Sequence, residues 1–438
     1  MRRTLFPIAV LLSTFPLIHG LAETSVENTD IVQEEVDDTT SSRVANWRAP
    51  GGHEFKKGTT LYVWAGDQAR IAPDFVAVID FDENSKTYGK VIRTAPVPAS
   101  VPSAGNEAHH MHLSADGRLL ACGGLLSLLQ GQDGIFFFDV TDARNPKYIK
   151  ATSAPLSAIT DDFLPLASGG FLVTQMGSNT GAAPGRIAEF DKNLNLVHEW
   201  PDKTPTDGFN PHGISARPEI NLLVSSDFVN PVTTLDVDTD PPELRGSIRV
   251  WDLKARKIVR TVTIPSAIGT MDVKLIPGDP MRRALTAGMF DSKIYLVDTQ
   301  AGTYKPVFDA LTVGGGPMSM PQILSITSDG TRLIFPLLNT GQIVMLDISN
   351  PNYPFVLDVV NLGPGSQPHV AGLTEDDKRL VVTDYFLNED DFGKLHYEGD
   401  HKVHVLRVQR ARLEIDYRFN LDFNTEMASS RPHGIAIK

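Results

Sequence analysis

A short apolar strand ending in aspartate recurs along this chain, and that repeat constrains the fold more than any other feature. The copies are Phe75–Asp80, Ile135–Asp139, Arg186–Asp191, Ile248–Asp252, Ile294–Asp298 and Ile343–Asp347. A seventh, Lys402–Leu406, is followed by Arg407 where the aspartate belongs. Spacings run from 46 residues (Asp252 to Asp298) to 61 (Asp191 to Asp252). A second pattern of strand, polar turn and strand alternates with the first, most plainly in Gln322–Phe335. It recurs from His109, near Asp161, from His212, near Asp272, from His369 and from His433, which again makes seven. Four short strands per repeat, with turn residues between them and no long helical periodicity, predict an all-β, seven-bladed β-propeller. A β-sandwich, or two smaller β-domains, explains neither the matched counts nor the chain ends. Residues 433–438 supply a first strand with nothing after it, and residues 59–98 supply second, third and fourth strands with nothing before them. The C-terminal strand is therefore expected to complete the N-terminal blade, since both ends are otherwise open sheet edges.

Outside the repeats, Arg2 and Arg3 precede an apolar run from Leu5 to Ile18 and small residues near Ala22. This predicts a secretory signal over 1–22, too short to span a bilayer, and hence a periplasmic or secreted protein with no membrane span after its removal. Residues 23–46 carry seven acids and no aromatic residue, the composition of a disordered leader. The propeller is then a single domain over 47–438. Loss of Arg2 and Arg3 takes the formal charge from −13 to −15, and no basic stripe offsets it, so nucleic acid is not an expected partner. Cys122 is the single cysteine, which excludes an internal disulfide; its apolar neighbours Leu119-Leu120-Ala121 point to a buried, inert thiol.

The start of the first strand in a propeller blade lies at the mouth of the central channel. In the seven repeats that position reads His109, His110 or His112, then Asp161 or Asp162, His212, Asp272, Gln322, His369 and His433. A single histidine at a strand start is ordinarily a hydrogen-bonded structural residue. Here four of seven equivalent positions carry histidine in a chain with only 12, while Asp272 and Gln322 show that the turn does not demand it. Converging imidazoles without thiolate suit iron or copper with an open position better than a closed structural zinc. Asp161, Asp162, Asp272 and Gln322 are placed to orient the rings as acceptors, or simply to be solvated at the mouth. In the first of these strands, alternation puts His110 and His112 on one face and His109 on the other. Matching the turn at Asp116 to that at Asp329 favours His109 by one residue. Two further features carry less. The acidic, aromatic segment Asp384–His404 is either a lid bearing His401 or His404 or an inter-strand loop. Asp236–Asp240 has the acids of a calcium loop without its glycine or terminal glutamate.

Several stretches resemble the selenium-binding protein family, which includes bacterial methanethiol oxidases: Val78–Asp82, Tyr88–Arg93, Pro96–Pro98, Asn106–His110, Leu346–Pro351 and Leu373–Thr383. The resemblance implies a seven-bladed propeller, a metal at His109 and His110, and, for exported members, a copper-dependent oxidase. Such an oxidase converts methanethiol and dioxygen to formaldehyde, sulfide and peroxide. His212, His369 and His433 join the set through the repeat alone. The family's cysteine-bearing stretch is replaced by Met111–Gly117, so selenium binding through cysteine is not expected. Two other readings stand beside the copper oxidase: an iron dioxygenase that cleaves an alkene, as in four-histidine propellers of that kind, and a non-catalytic binding or scaffold propeller.

Overall fold

Each aspartate-ended repeat forms the third strand of a four-stranded antiparallel blade, and seven blades close a ring. The computed structural model describes residues 58–438, except 235–241, 266–268, 385, 390–394 and 428. The expected signal, the acidic leader and the run Asp236–Asp240 lie outside the described residues. The terminal aspartates act as turn formers, their side chains accepting a backbone N–H two or three residues on: Asp139 from Thr141 at 2.8 Å, Asp191 from Asn193 at 2.8 Å, Asp347 from Ser349 at 2.9 Å and Asp252 from Ala255 at 2.8 Å. In the seventh blade Arg407 instead reaches Glu83, a residue of the first blade, at 2.8 Å.

The ring closes as the chain ends predict. The last strand, Ser430–Ile437, pairs antiparallel with Thr60–Asp67, which continues through Phe75–Asp80 to the outer strand Val91–Pro96. The core lies between blade faces rather than around one centre. Trp64, Phe136 and Phe138 fill the space between the first two blades, and Phe137, Phe171 and Phe190 the next. Leu61, Val63 and Ile79 pack on Val381, Val405 and Phe419, so the closing blade is sealed to its neighbour by apolar burial as well as by strand pairing. Cys122 sits in this core, and burial pushes its thiol well above the usual range, as expected of an inert cysteine.

The inner strands share one irregularity. In six of the seven blades the register slips where the chain meets the channel mouth: after Ala108, Thr160, Pro211, Thr270 and Pro368, and on the closing strand between Pro432 and Ile435. Such a bulge leaves an extra residue unpaired, bends the strand and re-aims its side chains. The bulged residues are His109-His110, Asp161-Asp162, His212-Gly213, Met271-Asp272, His369 and His433-Gly434. The remaining blade has only the short inner strand Ser325–Ile326, and Gln322 lies between it and an isolated bridge at Pro321. An additional hairpin, Phe386–Glu389 with Leu395–Glu398, rises between the second and third strands of the seventh blade.

Candidate metal centre

The bulges bring five histidines and one aspartate into a buried cluster. His109, His110, His369 and His433 have ring nitrogens all within 4.8 Å of one another, and His109, Asp161 and His212 form a second such group. The His433 ring stacks on His109 at 4.5 Å and lies 5.3 Å from His110, centroid to centroid. The bulge also removes the choice posed by strand alternation. Two successive residues turn to the same side, so His109 and His110 both enter the cluster, their rings stacked at 4.2 Å. His112 does not: beyond the bulge it is exposed, with Nδ1 2.7 Å from its neighbour's carbonyl at Leu113.

Asp161 organises three of the rings. Its Oδ2 lies 3.0 Å from His109 Nε2 and 3.1 Å from His212 Nε2, and its Oδ1 lies 3.2 Å from His110 Nδ1. A carboxylate accepts, so it favours a proton on each of these nitrogens, and the His109 contact forms a hydrogen bond. Burial alone opposes a charge on Asp161, but His212, His110 and His109 together hold its carboxyl well below the usual range. Gln322 sets the fourth ring. Its Nε2 donates to the Met320 carbonyl at 3.0 Å, which turns Oε1 towards His369 Nδ1 at 2.8 Å. That N–H leaves His369 Nε2 with a lone pair, pointing at His110 Nε2 3.3 Å away.

Burial pushes His109 down to about 4 and lowers His212; it drives His369 and His433 well below the usual imidazole range. His110 is the exception. Burial works against its charge too, but Asp161 outweighs it, with help from Asp162 and Asp272, and its pKa is raised. Among the five rings, a proton is therefore most favoured on His110. His110 lies between Asp161, which faces its Nδ1, and His369, which faces its Nε2.

The glycines after two of the histidines have a steric cause. A Cβ at Gly213 would meet Asp272 Oδ1 at 2.2 Å, and one at Gly434 would meet the His109 carbonyl at 2.4 Å. The Pro-His-Gly recurrence thus reflects how closely neighbouring inner strands pass at the mouth. Hydroxyls on second strands secure the bulges: Thr174 donates to the His212 carbonyl at 2.7 Å and Thr383 to the His433 carbonyl at 2.5 Å.

Other expected positions play different parts. Asp272 is fully buried but accepts from the backbone of Val273 and Leu324 and pairs with Lys274 at 3.0 Å. Asp162 accepts from Ile214 and lies 3.7 Å from Lys274. Both influence the rings through charge rather than as direct acceptors. His404 pairs with Asp400 at 3.0 Å, and His401 faces Gln68 and Asn424.

Sequence reasoning missed a pair beside the cluster. Buried Glu107, just upstream of the paired histidines, is bonded to buried Arg431, two residues before His433. Glu107 holds a φ of +64°, a strained backbone for a non-glycine residue. The pair ties the first histidine-bearing strand to the last. An acid and a base adjacent to two histidine motifs 324 residues apart were the available signal.

Neutral imidazoles that converge around a carboxylate, with a buried His212 Nδ1 that has no hydrogen-bond partner among the described residues, fit a transition-metal ion. Ring and cluster together define a seven-bladed propeller with a histidine-lined channel mouth. The chain belongs to the 56 kDa selenium-binding protein (SBP56) family, whose model matches residues 52–438. It is 27% identical over 400 residues to a methanethiol oxidase of a Hyphomicrobium species, covering 85% of each chain. It is 25% identical over 372 residues to a methanethiol oxidase of Ruegeria pomeroyi, covering 76% of this chain and 80% of the relative. A crystal structure of a hypothetical selenium-binding protein from Sulfolobus tokodaii superposes with a TM-score of 0.71 at 18% identity. It covers 88% of this chain and 94% of its own and supports the fold.

Proposed function

We propose that this protein is an exported oxidase of a small thiol, methanethiol or a close relative, that uses a histidine-bound copper ion and dioxygen. The observation that carries the reading is the convergence of His109, His110, His212, His369 and His433 on one buried mouth around Asp161. The relatives named methanethiol oxidase supply the substrate class. The overall reaction balances as methanethiol, dioxygen and water giving formaldehyde, hydrogen sulfide and hydrogen peroxide. A bound copper ion would supply one-electron redox chemistry and a place for thiol and oxygen to meet.

The chain's own residues prepare that place. Gln322 keeps the His369 proton on Nδ1 and so presents Nε2; Asp161 acts in the same sense on His110, favouring a proton on Nδ1 and leaving Nε2 to face the cluster. Asp161 holds negative charge among imidazoles, which favours a cation there over bulk water. A cation held there would compete with protonation of His110, and Asp161 is the nearest group to compensate the charge. Burial of every ring limits access of bulk water to the centre.

The test is metal analysis of protein purified from the exported fraction, followed by oxygen uptake with methanethiol. About one equivalent of copper, oxygen consumption and matching sulfide and formaldehyde are expected. Iron in place of copper would turn the reading towards a dioxygenase. Unchanged metal content in His212→Ala combined with His433→Ala would end the metal assignment.

A further inference from the structure

The histidine cluster is polar on one side and apolar on another. His212 meets Phe228 edge to face, with ring centroids 5.0 Å apart. Phe228 lies parallel to Phe290, offset, with centroids 6.4 Å apart and planes 7° from parallel. Both rings are only partly buried, and both rest on a methionine-rich core that includes Met271, Met289 and Met320. Phe228 lies at the mouth end of the second strand Leu222–Val229, and Phe290 in the turn just after the second strand Arg283–Gly288 of the next blade. Between them sits Gly269 at φ +71°, where a Cβ would lie 2.8 Å from Phe228 and 3.0 Å from Phe290. The glycine lets the backbone pass directly against both rings, and any side chain there would displace them.

We infer that Phe228, backed by Phe290, is the wall against which the substrate's alkyl group packs, and that it restricts the site to a methyl or similarly short chain. The inference rests on the thiol-oxidase reading and deepens it. A group held at His212 lies next to the Phe228 ring, so the part of a thiol that points away from the polar cluster meets an aromatic face. Aromatic and methionine surfaces attract a small apolar group and offer it no hydrogen bond. The wall is rigid because its rings are packed against each other, against Gly269 and against the core beneath. Chain length is therefore limited by the position of Phe228 rather than by the metal ligands.

The experiment compares oxygen uptake with methanethiol, ethanethiol and propanethiol for the wild type, Phe228→Ala, Phe228→Leu and Phe290→Ala. The expected result is a rise of about tenfold in kcat/KM for propanethiol relative to methanethiol in Phe228→Ala. A smaller shift in the same direction is expected for Phe228→Leu, which keeps the core filled. A purely structural role would lower all three rates together, and an unchanged ratio in both variants overturns the inference. Calorimetric binding of unreactive thioethers (dimethyl sulfide, ethyl methyl sulfide and methyl propyl sulfide) gives a readout independent of turnover. If the wild type oxidises no thiol, the thiol-oxidase reading fails and the thioether series decides alone. A preference for dimethyl sulfide that Phe228→Ala abolishes then supports the wall, and no difference between the two proteins rejects it.

Discussion

Two arcs of the same channel mouth use the same bulge for different ends. One arc, formed by the closing blade and the blades that begin at Ala108, Pro211 and Pro368, places imidazoles in the cluster, with Asp161 between them. The other, formed by the blades of Asp272 and Gln322, contributes no ring. There Asp272 is absorbed by two backbone N–H groups and Lys274, and Gln322 only orients His369. The bulge at Asp272 is the same as those that carry the imidazoles, so the fold does not require histidine at a bulge. The concentration of imidazoles on one arc is therefore a property of the site and not of the fold.

The arcs should first differ in what holds them. Glu107 and Arg431 are almost wholly buried, with side chains 1% and 4% exposed, and they join the strands that open and close the ring. Removing one partner of a buried pair leaves an uncompensated charge, at a cost of about 3–5 kcal/mol. Arg431→Met should show this loss in urea unfolding of the metal-free protein. Asp272→Ala, on the other arc, should cost only about 1–3 kcal/mol, because Lys274 is a quarter exposed and keeps Asp162 nearby. Equal losses would remove the distinction between the arcs.

Metal binding should separate them more selectively. His433→Ala removes a ring in contact with three others and should weaken copper affinity by more than about 100-fold; Asp161→Asn, which disturbs the protons on three rings, should cost about 10–100-fold. Asp272→Asn should leave affinity within about threefold, since it touches no ring directly. Competition titration against a chelator measures all three. A loss with Asp272→Asn as large as with His433→Ala would mean that the whole mouth, not one arc, binds the ion.

The ring, its closure and the set of channel-facing positions were legible because they follow from repetition. Strand-ending aspartates recur for a local reason, the turn that each side chain caps, and the chain ends had no other sheet to join. Four features were not legible. The bulge breaks the alternation on which face assignments rest, so His110 and His109 were set against each other when both turn inwards, and His112 was retained although it points out. Asp272 looked like an acceptor for imidazoles, but its backbone partner Leu324 lies 52 residues away and no local pattern announces it. The Phe228–Phe290 wall and the Glu107–Arg431 pair depend on contacts between blades, which periodicity within a repeat does not encode.

The smallest expected effect comes from pH and belongs wholly to the histidine arc. His110 is the one cluster ring whose pKa is raised in the fold, through Asp161. A raised histidine stabilises the metal-free protein fully below the unfolded value near 6.5, and that contribution fades as pH rises through the folded value. Metal-free protein should therefore lose this contribution as the pH rises above about 6.5 and through the folded value. The lowered rings act in the other window: His109, at about 4 when folded, contributes stability that falls away below 6.5. The two together predict a maximum in metal-free stability near the unfolded histidine value. A copper ion at His110 would compete with its proton, so binding should release more protons as the pH is lowered, read from the buffer dependence of the calorimetric enthalpy. His110→Gln should remove that release, whereas Asp272→Asn should leave most of it. A release unchanged by His110→Gln would place the proton elsewhere and erase the last difference drawn between the arcs.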